Sequence, residues 1–185
     1  MAYAACKMKS SNRKTLPARE VRESKMNNAL KKLELVAALL REETTLSLAT
    51  TGENGQASVA PLFYIAGDDL SLCWLSSESS LHSLNLTKQP RVAATVYRHA
   101  ASWREICGVQ MRGSASKVTE PERRRVLIAA YCERFKLGRV LRLAARQSAL
   151  YVFEPEFFRY IDNARGFGHK FELTRRPEGW TLTQP

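Results

Sequence analysis

The stretch Leu70-Ser-Leu-Cys-Trp-Leu-Ser-Ser-Glu-Ser-Ser-Leu-His-Ser-Leu-Asn-Leu86, closed by Gln89-Pro-Arg-Val92, decides how the rest of the chain is read. An alternating apolar strand runs into four serines (Ser76, Ser77, Ser79 and Ser80), then straight into a short amphipathic helix. The amides and dipole at a helix N-terminus favour an anion, and hydroxyls delivered there by a strand add donors. The segment therefore points to a phosphorylated ligand. The same serines also fit plain loop chemistry, in which they cap the helix.

Upstream, residues 1–23 lack hydrophobic periodicity and read as a disordered arm, leaving 24–185 as a single domain. Ser24 is placed to cap a helix running to about Arg41, with Met26, Leu30, Leu33, Val36, Ala37 and Leu40 on one face. The period then switches to two. A strand over 44–51 and a return strand over 57–66 flank a turn at Gly52-Glu-Asn-Gly55, and Gly67-Asp-Asp69 turns into 70–76.

Downstream of the helix at 79–88, strands are expected over 91–98 and 104–118, the second broken or bulged at Gly108 and Gly113. Thr119-Glu-Pro-Glu122 reads as a capping box opening a helix to about Phe135, and a second short helix follows Gly138. Residues 149–163 read as a strand interrupted at Pro155, with a last short strand ending at Trp180. Sequential hairpins of this kind predict a mainly β fold, an antiparallel barrel with peripheral helices, rather than a βαβ nucleotide fold. Neither GxGxxG nor GxxxxGKS/T occurs.

The totals narrow the function classes. At 185 residues the chain is long enough for one domain with a core. No apolar run reaches membrane-spanning length and Met1–Lys9 is too polar for a secretory signal, so the expected setting is cytoplasmic. Cys6, Cys73, Cys107 and Cys132 have no paired spacing, which argues against a zinc ribbon or a redox CxxC pair. His82, His99 and His169 lack ligand spacing, so no metal is assigned. Of the net charge of +11, residues 1–32 supply +7, nine Lys/Arg against Glu20 and Glu23, and the remainder +4. The basic arm reads as a solvated tail or, alternatively, as a contact for nucleic acid or an anionic surface.

From about Leu33 to Lys170 the chain resembles the pyridoxamine 5′-phosphate oxidase-like, FMN-binding split-barrel superfamily. The matching segments are Leu39-Leu-Arg-Glu-Glu-Thr-Thr-Leu-Ser-Leu-Ala-Thr-Thr-Gly52, Pro61-Leu-Phe-Tyr64 and Leu70–Val92. Where the family closes its third strand with Thr or Ser, continues with Ser-Arg-Lys and ends its short helix on Asp-Pro-Arg-Val, this chain has Ser76, Ser80-Leu-His82 and Gln89-Pro-Arg-Val92. The phosphate-gripping Arg and Lys of true pyridoxamine phosphate oxidases are thus Leu81 and His82, and their C-terminal Arg and Trp elements are not recognisable. The chain is more similar to a small bacterial subgroup in which a strand like Gly108-Val-Gln-Met-Arg-Gly113 precedes Ile161-Asp-Asn-Ala-Arg-Gly-Phe-Gly-His-Lys170.

The resemblance implies a homodimer with FMN at the subunit interface. It places the FMN phosphate on Ser76, Ser77, Ser80 and His82, and the isoalloxazine edge against the strand at Pro61, Leu62 and Phe63. Gln110 and Arg112, two polar residues sharing one strand face, are candidates for the flavin carbonyls or ribityl chain. Asn163, Phe167 and Lys170 are candidates for covering a ring and neutralising an anion, or else for a structural turn. The implied activity is an FMN-dependent oxidoreductase, oxidase or reductase, acting on a small organic or nicotinamide substrate. Two alternatives remain open: a non-catalytic flavin or haem-type ligand binder on the same barrel, and a nucleic-acid-associated protein using the arm.

Overall fold

A computed structural model describes residues 18–184. Its elements are α1 (Ala18–Glu42), β1 (Thr45–Thr51), β2 (Ala57–Phe63), β3 (Ile65–Ala66), β4 (Leu72–Ser76), α2 (Leu81–Lys88) and β5 (Arg91–Tyr97). They continue with β6 (Cys107–Lys117), α3 (Pro121–Arg134), α4 (Arg139–Gln147), β7 (Ala149–Asp162), β8 (Lys170–Arg176) and β9 (Gly179–Gln184). The strands form one antiparallel sheet, ordered β2-β1-β5-β6-β7-β4-β3, with β8 on β7 and β9 on β8. The sheet curls into a half-barrel, the antiparallel barrel expected from the hairpins and the split barrel that the resemblance implies.

β7 is the strand that makes this topology close. One edge pairs with β6 along nearly its whole length. The other edge serves two partners, β4 at Ala149–Phe153 and β8 at Phe157–Ile161. Pro155 lies in the gap between them, where a residue without an N–H leaves no ladder bond unmade. On the β6 side, Arg112 faces Phe157 and Gly113 faces Pro155, so Glu156 is bulged out. Pro155 therefore does not interrupt the strand, as the sequence suggested; it bends one continuous strand between two partners. Gly113 is what lets the bulge close, because a Cβ there would stand 2.1 Å from the Glu154 carbonyl oxygen.

α1 closes the barrel interior. Val36, Leu39 and Leu40 are fully buried with Leu46, Leu48, Trp74, Met111, Phe153 and Phe158 in one core. Its C-terminal carbonyls, which a helix leaves unpaired, are taken from outside. Tyr64 Oη donates to the Leu40 carbonyl (2.8 Å), and Arg134 Nη2 donates to those of Arg41 (2.8 Å) and Glu42 (3.2 Å). Burial pushes the Tyr64 phenol upward, so it stays a donor.

Other boundaries move for identifiable reasons. α1 begins at Ala18, ahead of the expected Ser24; helix-forming Ala-Arg-Glu-Val-Arg-Glu carries it there without an apolar stripe. The rest of the expected disordered arm, residues 1–17, lies outside the described residues. The return strand stops at Phe63, where Tyr64 turns inward, and resumes as β3. β6 starts at Cys107 because Trp103–Glu105 forms a helical turn, and it passes through Gly108 in unbroken register. α3 is capped by the Glu120 carboxylate, which accepts from the amides of Glu122 (2.8 Å) and Arg123, and not by Thr119. The last strand starts at Gly179, and Trp180, expected at its end, stacks on Phe158 with ring centroids 4.5 Å apart.

Gly113→Ala is expected to destabilise the fold by about 3 kcal/mol or more, since the added methyl meets backbone rather than a movable side chain. A lowered urea midpoint at unchanged slope would show it.

Candidate functional site

The two-residue period of β4 puts Leu72, Trp74 and Ser76 on one face. Leu72 and Trp74 fill the interior, and Ser76, the last residue, emerges half-buried at the rim. The chain then turns, Ser80 N donating to the Ser77 carbonyl (3.2 Å), and enters α2. Asn85 pins that helix to the barrel by donating Nδ2–H to Thr50 Oγ1 (3.0 Å), while Ser83 and Leu86 are buried beneath it.

Ser80 occupies the N-cap position with extended backbone (φ −68°, ψ 147°), yet its side chain makes no cap hydrogen bond. Its hydroxyl lies 3.1 Å from Ser76 Oγ and 3.1 Å from His82 Nε2, and Ser76 Oγ is 2.8 Å from the same nitrogen. The single Ser80 proton is offered to either the Ser77 carbonyl (2.9 Å) or Ser83 Oγ (2.8 Å). Ser77 and Ser79 form a second hydroxyl pair, 2.8 Å apart, on the exposed side of the turn. Capping by Ser80 is thus not what this loop does. The first amides of α2 receive no side-chain oxygen and stay available as donors.

Burial holds the His82 imidazole below its ordinary pKa, so it is neutral at pH 7. The cation at this rim is Lys117, at the end of β6, whose Nζ donates to Glu78 Oε1 of the serine turn (2.7 Å). Nothing local in the sequence pointed to Lys117. It arrives through pairing, since Lys117 faces Tyr151 on β7, two residues beyond the partner of Ser76.

The remaining candidates fall into two other places. Pro61 and Phe63 project from the outer face of β2, whereas the Leu62 side chain turns inward onto the core. Phe63 meets Phe135 edge-on at 5.4 Å. Gln110 and Arg112 share the outer face of β6, as their spacing predicts, and line a groove of about 410 Å3 with Ala49, Val59 and Thr95. The Arg112 guanidinium lies 4.1 Å from the centre of the Phe157 ring.

Asn163, Phe167 and Lys170 lie at the far end of β7. Asn163 Nδ2 donates to the Trp103 carbonyl (2.7 Å) and Oδ1 accepts from Gly168 N (3.1 Å), clamping two loops together. Phe167, 86% exposed, meets Trp103 edge-on, and Gly166 and Gly168 take φ of 137° and 70°. Lys170 pairs with Ile161 and Ser76 with Ala149. About 40 Å of strand separates those two rows at ~3.3 Å per residue. One chain therefore does not bring the tail constellation to the serine cluster. Among the described residues, no group of three or more His, Cys, Asp or Glu is placed to hold a metal ion.

The family profile described as pyridoxamine 5′-phosphate oxidase matches residues 33–161, from the middle of α1 to the end of β7. The chain belongs to that family. A relative described as a UPF0306 protein, from Serratia proteamaculans (strain 568), is 27% identical over 149 residues, covering 80% of this chain and 99% of that one. Among solved structures, the haem storage protein HutZ of Vibrio cholerae aligns with a TM-score of 0.57 at 23% identity, over 65% of this chain and 87% of that one. PhzG of Burkholderia lata, solved with tetrahydrophenazine-1-carboxylic acid, aligns with a TM-score of 0.58 at 17% identity, over 92% and 96%. These two structures share the family fold with this chain. The profile stops at Ile161, so the Asn163–Lys170 turn, β8 and β9 lie beyond the matched region.

The lowered His82 pKa ties the stability of this rim to pH. Below the ordinary histidine pKa of about 6.5 the unfolded chain binds the proton more readily, so this site's stability is present above that pH and is lost as pH falls through the lower folded value. His82→Gln is expected to flatten the fall in urea midpoint as pH drops below about 6.5.

Proposed function

We propose that this protein binds FMN, with the phosphate held by Ser76, Ser80, His82 and the first amides of α2. One observation carries the reading: the N-cap serine leaves its own helix uncapped and joins a hydroxyl–imidazole cluster at that helix end. The donor set fits a phosphate monoester, since hydroxyls rotate to donate, helix amides point outward and the dipole favours a dianion. His82 would take up a proton beside that charge, supplying the cation that Leu81 does not. Lys117, now facing Glu78, would add a second. Ser77 would close the turn from its exposed side.

When bound, the flavin supplies hydride transfer, and the protein contributes position and electrostatics. The outer sheet face would meet a second copy to form a homodimer. Its small residues Ser47, Ala49, Ala93 and Thr95 permit close approach there, and the Gln110 amide and Arg112 guanidinium would face the cofactor across the interface. Pro61, Leu62 and Phe63 would contribute strand backbone. Asn163, Phe167 and Lys170 would reach a flavin only from a second copy, given their place at the other end of β7. The activity that follows is oxidation or reduction of a small organic or nicotinamide substrate. Free, buried Cys73, Cys107 and Cys132 suit a reducing, cytoplasmic setting.

The test is the visible spectrum of the purified protein before and after FMN addition and removal of excess. A retained two-band flavin spectrum is expected, with Ser80→Ala/His82→Ala weakening retention about tenfold or more, the loss of two charge-assisted hydrogen bonds. Lys117→Gln should weaken it less. Wild-type retention in the double variant would move the phosphate elsewhere, and a Soret band in place of flavin absorption would favour the haem-type binder.

A further inference from the structure

α3 and α4, inserted between β6 and β7, carry charge that the totals conceal. Residues 121–147 hold eight Lys/Arg against Glu122 and Glu133, a net +6, so the rest of 33–185 is net negative. Within them, α4 reads Arg139-Val-Leu-Arg-Leu-Ala-Ala-Arg-Gln147. Its one buried side chain is Ala145, seated on Ile128 and Cys132 of α3. Val140, Leu141 and Leu143 are 81%, 57% and 58% exposed. Helical spacing sets Val140, Leu143 and Ala144 along one ridge and Arg139, Arg142 and Arg146 along the adjoining flank. Arg142 Nε holds the helix start by donating to the Leu137 carbonyl (2.7 Å). None of the three arginines has an acidic partner among the described residues.

We propose that α4 is a docking ridge for an anionic lipid surface. A short helix with exposed aliphatic residues beside a cationic flank lies in a bilayer interface with its ridge at the acyl boundary and its arginines among the headgroups. Three features select this occupant over others. The ridge projects: Val140, Leu141 and Leu143 each expose more than half of their surface, whereas a groove that takes a peptide's anchors needs apolar residues buried in its walls. A second copy packed antiparallel on α4 about a twofold axis would bring two arginine flanks to the same side, which like charge opposes. A nucleic acid would satisfy the arginines but leave Val140, Leu141 and Leu143 without an apolar partner.

The experiment is flotation of the full chain with phosphatidylcholine vesicles containing about 30 mol% phosphatidylglycerol, against pure phosphatidylcholine. Binding to the anionic vesicles alone is expected, falling as salt is raised. Val140→Glu/Leu143→Glu should reduce it about tenfold or more at unchanged thermal midpoint, both side chains being exposed. The basic N-terminal residues are controlled by Lys7→Gln/Lys9→Gln/Arg13→Gln/Lys14→Gln, which should leave an α4-dependent fraction bound. Absence of vesicle binding, or binding that is indifferent to the α4 variant, would overturn the proposal. So would conversion of a dimer to a monomer by that variant, which would put the ridge between copies, or α4-dependent binding to duplex DNA without vesicle binding.

Discussion

Everything in this fold depends on one strand keeping three neighbours. β7 pairs with β6 along one edge and divides the other between β4 and β8, and the division falls at Pro155. The β4 half carries the serine turn at its rim; the β8 half carries the Asn163 clamp and the terminal hairpin. At the bulge a Cβ on residue 113 would collide with the Glu154 carbonyl, so β6 and β7 leave no room there for any side chain but glycine's hydrogen. The core holds the two halves together, with Phe153 on one side of the bend and Phe158 on the other both fully buried.

Surface charge contributes little to this arrangement. The ion pairs are mostly well exposed, such as Arg91–Glu156 and Arg41–Asp68, and pairs of that kind are worth about 0–1 kcal/mol each. The better-covered carboxylates, Glu172 with Arg159 and Asp162 with Arg165, sit at β8 and at the turn before it. They bear on the placement of the terminal hairpin. The apolar interior, closed by α1, holds the barrel itself.

Much of the fold was legible in the chain because half-buried strands alternate and the helices of this protein mostly do not. β1, β5 and β6 show their two-residue period in Leu46, Leu48, Val92, Val96, Val109 and Met111, and each has its inward set where that period puts it. The family segments were legible for the same reason, since they coincide with these strands and the turn after β4. Features set by distant contacts were not. Residue 155 looks like a break until its two edge partners are known, and Trp180 looks terminal until it is seen on Phe158. At the candidate site, serines and histidine adjacent in sequence could be grouped in advance, whereas Lys117 enters only through the pairing of β6 with β7. Charge concentrated on α3 and α4 was masked by averaging it with an acidic remainder.

The mutual bonding of Ser76, Ser80 and His82 has a consequence for what this rim can discriminate. The Ser76 and Ser80 hydroxyls and His82 Nε2 already bond one another, so an arriving ligand would trade existing hydrogen bonds for new ones at these groups and gain little from hydroxyl count alone. What the resident partners cannot supply is negative charge, which an uncapped helix terminus and a neutral imidazole able to take up a proton both favour. For the binding proposed above, such a rim would rank visitors by ionisation before shape, a dianionic ester ahead of a sugar or an alcohol of the same size.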